Sequence, residues 1–425
     1  MTSTVPVGGD VRTVAPGEIV LGLQGTVDYE IEWDRSVIDA LVVEYSIDDS
    51  EIDPRVPITD ERSLLVALLG FLATGEGGER HVESSAIVEQ FAARFPREIT
   101  LGGTCVRAAL VLRRLGIPSL LHLVSTDENV RRLLPADCEA ITSATDDTLD
   151  PHLIIQFRPG DGARVGATEL IATEANRVIV ANDPPAENLV LSRELGDRVA
   201  TARVFLVSGF NTINDPAVLR ARLDEIRAVS SRIPVDGLVV YEDAGFHDRS
   251  HQPTVSDAIG PVADVFSLNE DELQARLGRR FDLLDAHEAT AAVKELRAQV
   301  PDPTLVVHTR YWTIVLTTPA RLADLDSVTA AADAGNATAA GRYAFGDAVT
   351  AADITRITAG PRQTGSTTFA RDAEHLLGEF GRCLPGFQIE AAHPTTIGLG
   401  DTFIGGLIGA LAQRGEPSVE QETNQ

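Results

Sequence analysis

Short apolar runs separated by longer periodic stretches set the pattern of this chain. Residues 18–25, 204–210, 237–243 and 304–309 are brief, rich in Val and Leu, and end in polar or glycine-containing turns. Between such runs lie stretches with apolar residues at helical spacing, as over 216–229 and 285–300. Apolar strands alternating with amphipathic helices predict an α/β fold, with a large, mostly parallel sheet covered by helices on both faces. Ligands of such sheets bind beyond the carboxyl ends of the strands, where these polar turns fall.

Two regions break the rhythm. From residue 26 on, Val27, Tyr29, Ile31 and Trp33 alternate with other residues, the pattern of a strand with one exposed face. Residues 152–157 and 169–181 are again strand-like, joined by a glycine-rich turn over 158–166. They predict a small β-rich lid inserted discontinuously into the larger unit, over roughly 26–60 and 150–183. The longest apolar run, residues 63–73, is too short to span a bilayer and predicts a buried helix.

Composition narrows the function. A chain of 425 residues, 44% apolar and 23% charged, has the make-up of a soluble enzyme with one large and one smaller domain. Its net charge of −27 argues against nucleic acid and against an anionic membrane surface as partners. Cys105, Cys138 and Cys383 are far apart and form no metal or disulfide pattern. With no signal-like start in the first twenty residues, the expectation is a cytoplasmic protein. The polar residues 414–425 are expected to fray. Lys294 is the only lysine, on a predicted helix whose Ala289, Ala292, Val293 and Leu296 point inward. A Walker loop, a protein-kinase ATP lysine and a Schiff-base lysine are therefore missing. Any phosphate would be handled by arginines, backbone amides and a metal.

The most informative stretch is 395–406, Thr-Thr-Ile-Gly-Leu-Gly-Asp-Thr-Phe-Ile-Gly-Gly. Gly398 and Gly400 precede Asp401, and an apolar helical run follows. A glycine-lined helix start offers unpaired N–H groups and a favourable dipole to an anion. A carboxylate there opposes the anion unless it has a task, such as accepting a proton from an attacking hydroxyl. The same residues read equally as a turn with a capping Asp. Residues 265–273, Val-Phe-Ser-Leu-Asn-Glu-Asp-Glu-Leu, end a strand in oxygen donors suited to Mg²⁺ or to an acidic helix start. Tyr241-Glu242-Asp243 reads either as a second carboxylate pair at a strand end or as an exposed loop. Gly102-Gly103-Thr104 opens a helix, where paired glycines allow a flat ligand such as a sugar ring to contact backbone or serve equally as a tight helix-entry turn. Asn176, Arg177 and Arg158 are candidate phosphate or sugar contacts near the lid. His247 and His251 are expected on a surface loop.

Taken in order, these motifs resemble the ADP-dependent glucokinase/phosphofructokinase family, sugar kinases of ribokinase-like fold. The order runs through Asp28, Gly102-Gly103, residues 152–157, Glu-Ala-Asn-Arg-Val-Ile-Val-Ala-Asn-Asp (174–183), Ser-Gly-Phe-Asn (208–211), Asn269-x-x-Glu272, His308-Thr309 and Gly398-x-Gly400-Asp401. The resemblance implies Asp401 as general base, with the amides of Gly398, Leu399, Gly400 and Asp401 as the anion hole. It implies Glu242, Asn269 and Glu272 around Mg²⁺, held largely through water. Arg177, His308 and Thr309 would face the nucleotide, with ADP as donor, and Asp28, Gly102 and Gly103 the sugar.

Departures bear on the substrate. Val240-Tyr241-Glu242 stands where the family often has His-x-Glu, and Gln24-Gly25-Thr26-Val27-Asp28 replaces its Asn-x-Asn-Val-Asp. Glu79 resembles a glutamate that glucokinase-type members use against a sugar hydroxyl, which implies an unphosphorylated hexose. The runners-up are fructose 6-phosphate as acceptor, ATP as donor, and a non-catalytic sugar or nucleotide sensor.

Overall fold

A computed structural model describes residues 12–391 and 394–414, which leaves nearly all of the polar 414–425 segment outside the described residues. The strands are β1 (Ile19–Leu21), β2 (Thr26–Glu32), β3 (Gly78–His81), β4 (Glu98–Gly102), β5 (Leu120–Leu123), β6 (Glu139–Thr142), β7 (His152–Phe157) and β8 (Gly162–Val165). They continue with β9 (Thr168–Ile171), β10 (Asn176–Ala181), β11 (Val204–Val207), β12 (Leu238–Glu242), β13 (Val265–Asn269), β14 (Thr304–His308), β15 (Trp312–Leu316) and β16 (Gly381–Pro385).

Nine strands form the large sheet in the order β16-β15-β14-β13-β12-β11-β1-β5-β6. All neighbours from β14 to β6 pair parallel, and β15 and β16 add an antiparallel edge. Successive side chains of these strands enter two different cores. Ile19, Leu21, Val240, Val265 and Val306 join one, and Val20, Phe205, Val239, Phe266 and Val307 the other. Both faces are therefore apolar, the reason these strands read as continuous Val/Leu runs. Helices Leu325–Phe345 and Leu399–Ala412 lie on the first face, and helices Pro216–Ser230 and Ala286–Gln299 on the second. Among the described residues no helix is long and apolar enough to cross a membrane.

The second sheet runs β3-β10-β7-β2-β4. Here alternation separates two faces. Val27, Tyr29, Ile31, Leu153, Ile155, Phe157, Val178 and Val180 are buried in one hydrophobic core with Leu64, Leu68 and Phe71 of helix Glu61–Thr74. The intervening Asp28, His152, Arg177 and Glu79 turn to the opposite side. That helix is the buried one expected over 63–73. It starts with a reciprocal cap between Asp60 and Ser63 and stops at Gly75, whose φ of 69° suits glycine.

The small unit extends beyond the 26–60 boundary expected from sequence. The helix Glu61–Thr74 backs this sheet rather than the large one, and β3 and β4 supply two of its five strands. The 169–181 stretch is two strands, not one. β9 folds back on β8 around Gly166 (φ 57°), so the glycine-rich segment itself contains a strand.

Candidate active site

The polar face of the small sheet and the carboxyl ends of the central large-sheet strands enclose one cleft. From the large sheet come Gln24 after β1, Ser208 and Asn211 after β11, Glu242 and Asp243 at β12, and Asn269 at β13. The small sheet contributes Thr26, Asp28, Glu79, His152 and Arg177. The turn 398–401 closes the remaining side.

That turn begins helix Leu399–Ala412, so Gly400 and Asp401 lie in its first turn. Gly398 holds φ at 66°, and no side chain caps the helix. A Cβ on Gly398 would stand 2.7 Å from Arg107 Cδ, so close packing as well as backbone conformation requires glycine. Arg342 Nε donates to Ile397 O at 2.7 Å and Thr402 Oγ1 to Gly398 O at 2.7 Å, which fixes the turn from behind. The helix start thus presents backbone N–H groups to the cleft, an arrangement that can take an anion. Asp401 stands beside it with its side chain 26% exposed.

Opposite, Asp28 accepts from Thr26 Oγ1 at 2.7 Å and from Arg107 Nη2 at 2.8 Å. A Cβ on Gly102 would come within 2.0 Å of Asp28 Oδ2, so Gly102 makes room for that carboxylate rather than for a ligand directly. Gly103, with φ 82°, lines the cleft at the start of helix Thr104–Arg114. Glu79 is wetted by the cleft. Enclosure by its walls raises the carboxyl above the usual range, against the opposing charges of Arg177 and His152. The Arg177 guanidinium borders the cleft and makes no hydrogen bond or ion pair with any described residue.

The acidic strand ends are arranged less openly than expected. Asn269 and Glu272 close on each other in a capping box. Asn269 N and Nδ2 donate to the two Glu272 oxygens, both at 2.8 Å, and Asn269 Oδ1 accepts from the backbone of Asp271 and Glu272. Asn269 is thus engaged in the cap, while each Glu272 oxygen accepts one hydrogen bond and keeps a lone pair for a metal-bound water. Glu242 is buried, with His308 Nε2 3.2 Å from one oxygen, while Oε2 has no hydrogen-bond partner. Burial raises the Glu242 carboxyl; burial and the charges of Glu242 and Asp243 raise Glu272 well above the usual range. Among the described residues no three His, Cys, Asp or Glu side chains converge to cage a metal directly. An orphaned carboxylate oxygen beside a second enclosed carboxylate does fit a cation that keeps its waters.

Two residues expected at the nucleotide, His308 and Thr309, are not among those that line the cleft. Thr309 spends its hydroxyl on the β14–β15 turn, donating to Trp312 O and accepting from Tyr311 and Trp312 N–H. His308 is buried, stacked on Phe403 with ring centroids 4.1 Å apart and directed to Glu242. Arg158 lies outside the cleft, paired with Glu32 on the surface. His247 borders the cleft instead of a surface loop, and burial beside His81 and His152 pushes it down to about 4. His251 is buried as well.

Sequence reading missed Arg107 and His152. Arg107 interrupts the apolar run Cys105-Val106-Arg107-Ala108-Ala109, and that interruption was the available signal. His152 opens a strand on the polar face and pairs with Asp183 at 3.1 Å.

Residues 17–375 match the conserved region of ADP-specific phosphofructokinase/glucokinase, a match that ends before the 398–401 turn. A phosphofructokinase from Pyrococcus horikoshii OT3, solved with AMP, is 18% identical; it superposes with TM-score 0.72 over 94% of this chain and 99% of that one. An ADP-dependent kinase solved with fructose-6-phosphate and ADPβS is 14% identical, with TM-score 0.72 over 94% and 95%. The last common ancestor of ADP-dependent phosphofructokinases from Methanosarcinales is 15% identical, with TM-score 0.69 over 94% of each chain. No curated protein matches in sequence.

Proposed function

The chain belongs to the ADP-specific phosphofructokinase/glucokinase family, and from that premise we propose that it moves the terminal phosphoryl group of ADP to a hydroxyl of an unphosphorylated hexose. The observation that carries this reading is the meeting of Asp401, an uncapped helix start and the Asp28 carboxylate around one cleft. Asp401 takes the proton of the attacking hydroxyl. The hydroxyl oxygen bonds to the β-phosphorus of ADP, the bond to the bridging oxygen breaks, and AMP leaves. The N–H groups of Leu399, Gly400 and Asp401 hold the oxygens of the group in transit. Asp28 and Glu79 accept hydrogen bonds from other sugar hydroxyls and orient the ring. Arg177, with no partner of its own, faces phosphate charge.

Glu242 and Glu272 would hold a hydrated Mg²⁺, which when bound offsets negative charge on the phosphate oxygens. Closure of the small unit over the acceptor excludes water and suppresses hydrolysis of the nucleotide.

A second reading within the family, fructose 6-phosphate as acceptor, draws on the same Arg177, since a free guanidinium in the cleft also suits a sugar phosphate. The test is a donor-by-acceptor matrix: ADP and ATP against several free hexoses and their phosphates. Turnover of ADP with a free hexose well above that with fructose 6-phosphate is expected. The reverse preference overturns the hexose assignment, and no transfer to any sugar overturns the kinase reading.

A further inference from the structure

Arg107 stands where the two halves of the site meet, and the reading above gives it no task. It projects from helix Thr104–Arg114 with its side chain 5% exposed. Its Nη2 lies 2.8 Å from Asp28 Oδ2 and 3.1 Å from Glu30 Oε1, and its Nε stands 3.8 Å from Asp401 Oδ2. These partners come from different parts of the fold. Asp28 and Glu30 sit on β2 of the small sheet, and Asp401 on the helix packed against the large one. Burial works against the charge on Arg107. The carboxylates of Asp28, Asp401 and Glu30 outweigh it and hold the guanidinium pKa above its usual value. Among the described residues Arg107 is the one cationic side chain within 4.0 Å of the Asp401 carboxylate.

A plain packing tie would need one carboxylate. This planar group addresses the sugar-side and base-side carboxylates together, through nitrogens fixed in one plane. Asp28 also has Thr26 to hold it, at 2.7 Å. Removing Arg107 therefore leaves Asp28 on its strand and frees the spacing between Asp28 and Asp401. That spacing is what puts an acceptor hydroxyl within reach of a base.

We propose that Arg107 is a positioning residue that sets the base Asp401 against the acceptor-binding Asp28 across the cleft floor. The proposal rests on the kinase reading above. Arg107→Met and Arg107→Lys are assayed with the preferred acceptor, alone and combined with Asp401→Asn. Arg107→Met is expected to lower kcat by about 10²-fold, the cost of roughly 1 Å of misplacement, and to raise acceptor KM while donor KM holds. Arg107→Lys, which keeps the charge but not the fork, should recover part of kcat. On the Asp401→Asn background Arg107→Met should cost little more, because the group it positions is already disabled. Losses that simply multiply, or folded variants with wild-type kcat and acceptor KM, overturn the proposal. If Arg107→Met does not fold, Arg107→Lys decides: about a tenfold or larger, non-additive loss of kcat supports the proposal, and a smaller or additive one overturns it. Failure of the kinase reading is seen separately, as a wild-type protein that phosphorylates no sugar.

Discussion

Gly102→Ala adds one methyl group at the floor of the cleft. An alanine Cβ at this position would lie 2.0 and 2.4 Å from the two oxygens of Asp28 and 2.5 Å from its Cγ. Gly102 does not have a positive φ, so the effect is steric rather than conformational. Carbon and oxygen need about 3 Å or more, so the Asp28 carboxylate must retreat by roughly 1 Å. It has little room to do so. It is 3% exposed and is fixed by Thr26 at 2.7 Å and Arg107 at 2.8 Å. Overpacking of this kind costs about 1–3 kcal/mol. A 1 Å displacement of a substrate-positioning group costs about 10²-fold in rate, or about 2.7 kcal/mol, within the same range. Steady-state kinetics with the preferred acceptor should show kcat/KM falling on that scale while KM for the nucleotide holds. Gly116→Ala is the control, since its Cβ would meet nothing within 4 Å and only its φ of 75° is unfavourable. It should cost about 1 kcal/mol of stability and no activity. A folded Gly102→Ala enzyme with wild-type acceptor kinetics would refute the placement of Asp28 in the acceptor site.

Glu242→Gln and Glu272→Gln should each weaken Mg²⁺ activation, because an amide supports a metal-bound water less well than a carboxylate; unchanged Mg²⁺ titrations for both would sink the metal assignment. Both carboxyls are raised in the folded state, so the folded protein binds more protons than the unfolded chain above about 4.5, and without metal its stability falls as pH rises through that window. Mg²⁺ should therefore raise Tm more near pH 8 than near pH 5, and equal shifts would contradict the reading. Glu79 at about 5 Å from an acceptor phosphate repels it by roughly 3 kcal/mol at an effective dielectric of about 20, enough for about a hundredfold preference for free hexose. Because the cleft raises the Glu79 carboxyl, that preference should shrink as pH falls, and Glu79→Ala should shrink it at every pH; a preference indifferent to both would remove Glu79 from the acceptor site.

The parallel sheet was legible because strands buried on both faces carry continuous Val/Leu runs, and β2 because its faces differ. The limits of the small unit were hidden for a related reason. Residues 64–72 are buried throughout and carry no stripe to say which sheet they cover. β3 has four residues, too few to show a period, although it carries Glu79. Gly398 and Asp401 announced their turn through local chemistry alone. Asn269 and Glu272 stayed ambiguous for the opposite reason, since their spacing serves a helix cap as well as it serves a metal. Thr309 was named only through the family's motif order, and no local pattern announced that its hydroxyl serves the β14–β15 turn. Arg107 lies 79 residues from Asp28 in sequence, and no short motif records that pairing.

Asp401→Asn, assayed with Mg²⁺, ADP and the preferred hexose, bears most directly on the central claim. The substitution keeps the size of the side chain and the helix start around it and removes the capacity to accept a proton. If Asp401 is the base, kcat falls by about 10²–10⁴-fold while the acceptor dissociation constant stays close to that of the wild type. An Asn variant that keeps most of the wild-type turnover would contradict the account, leaving Asp401 an acidic residue that merely favours the first turn of its helix.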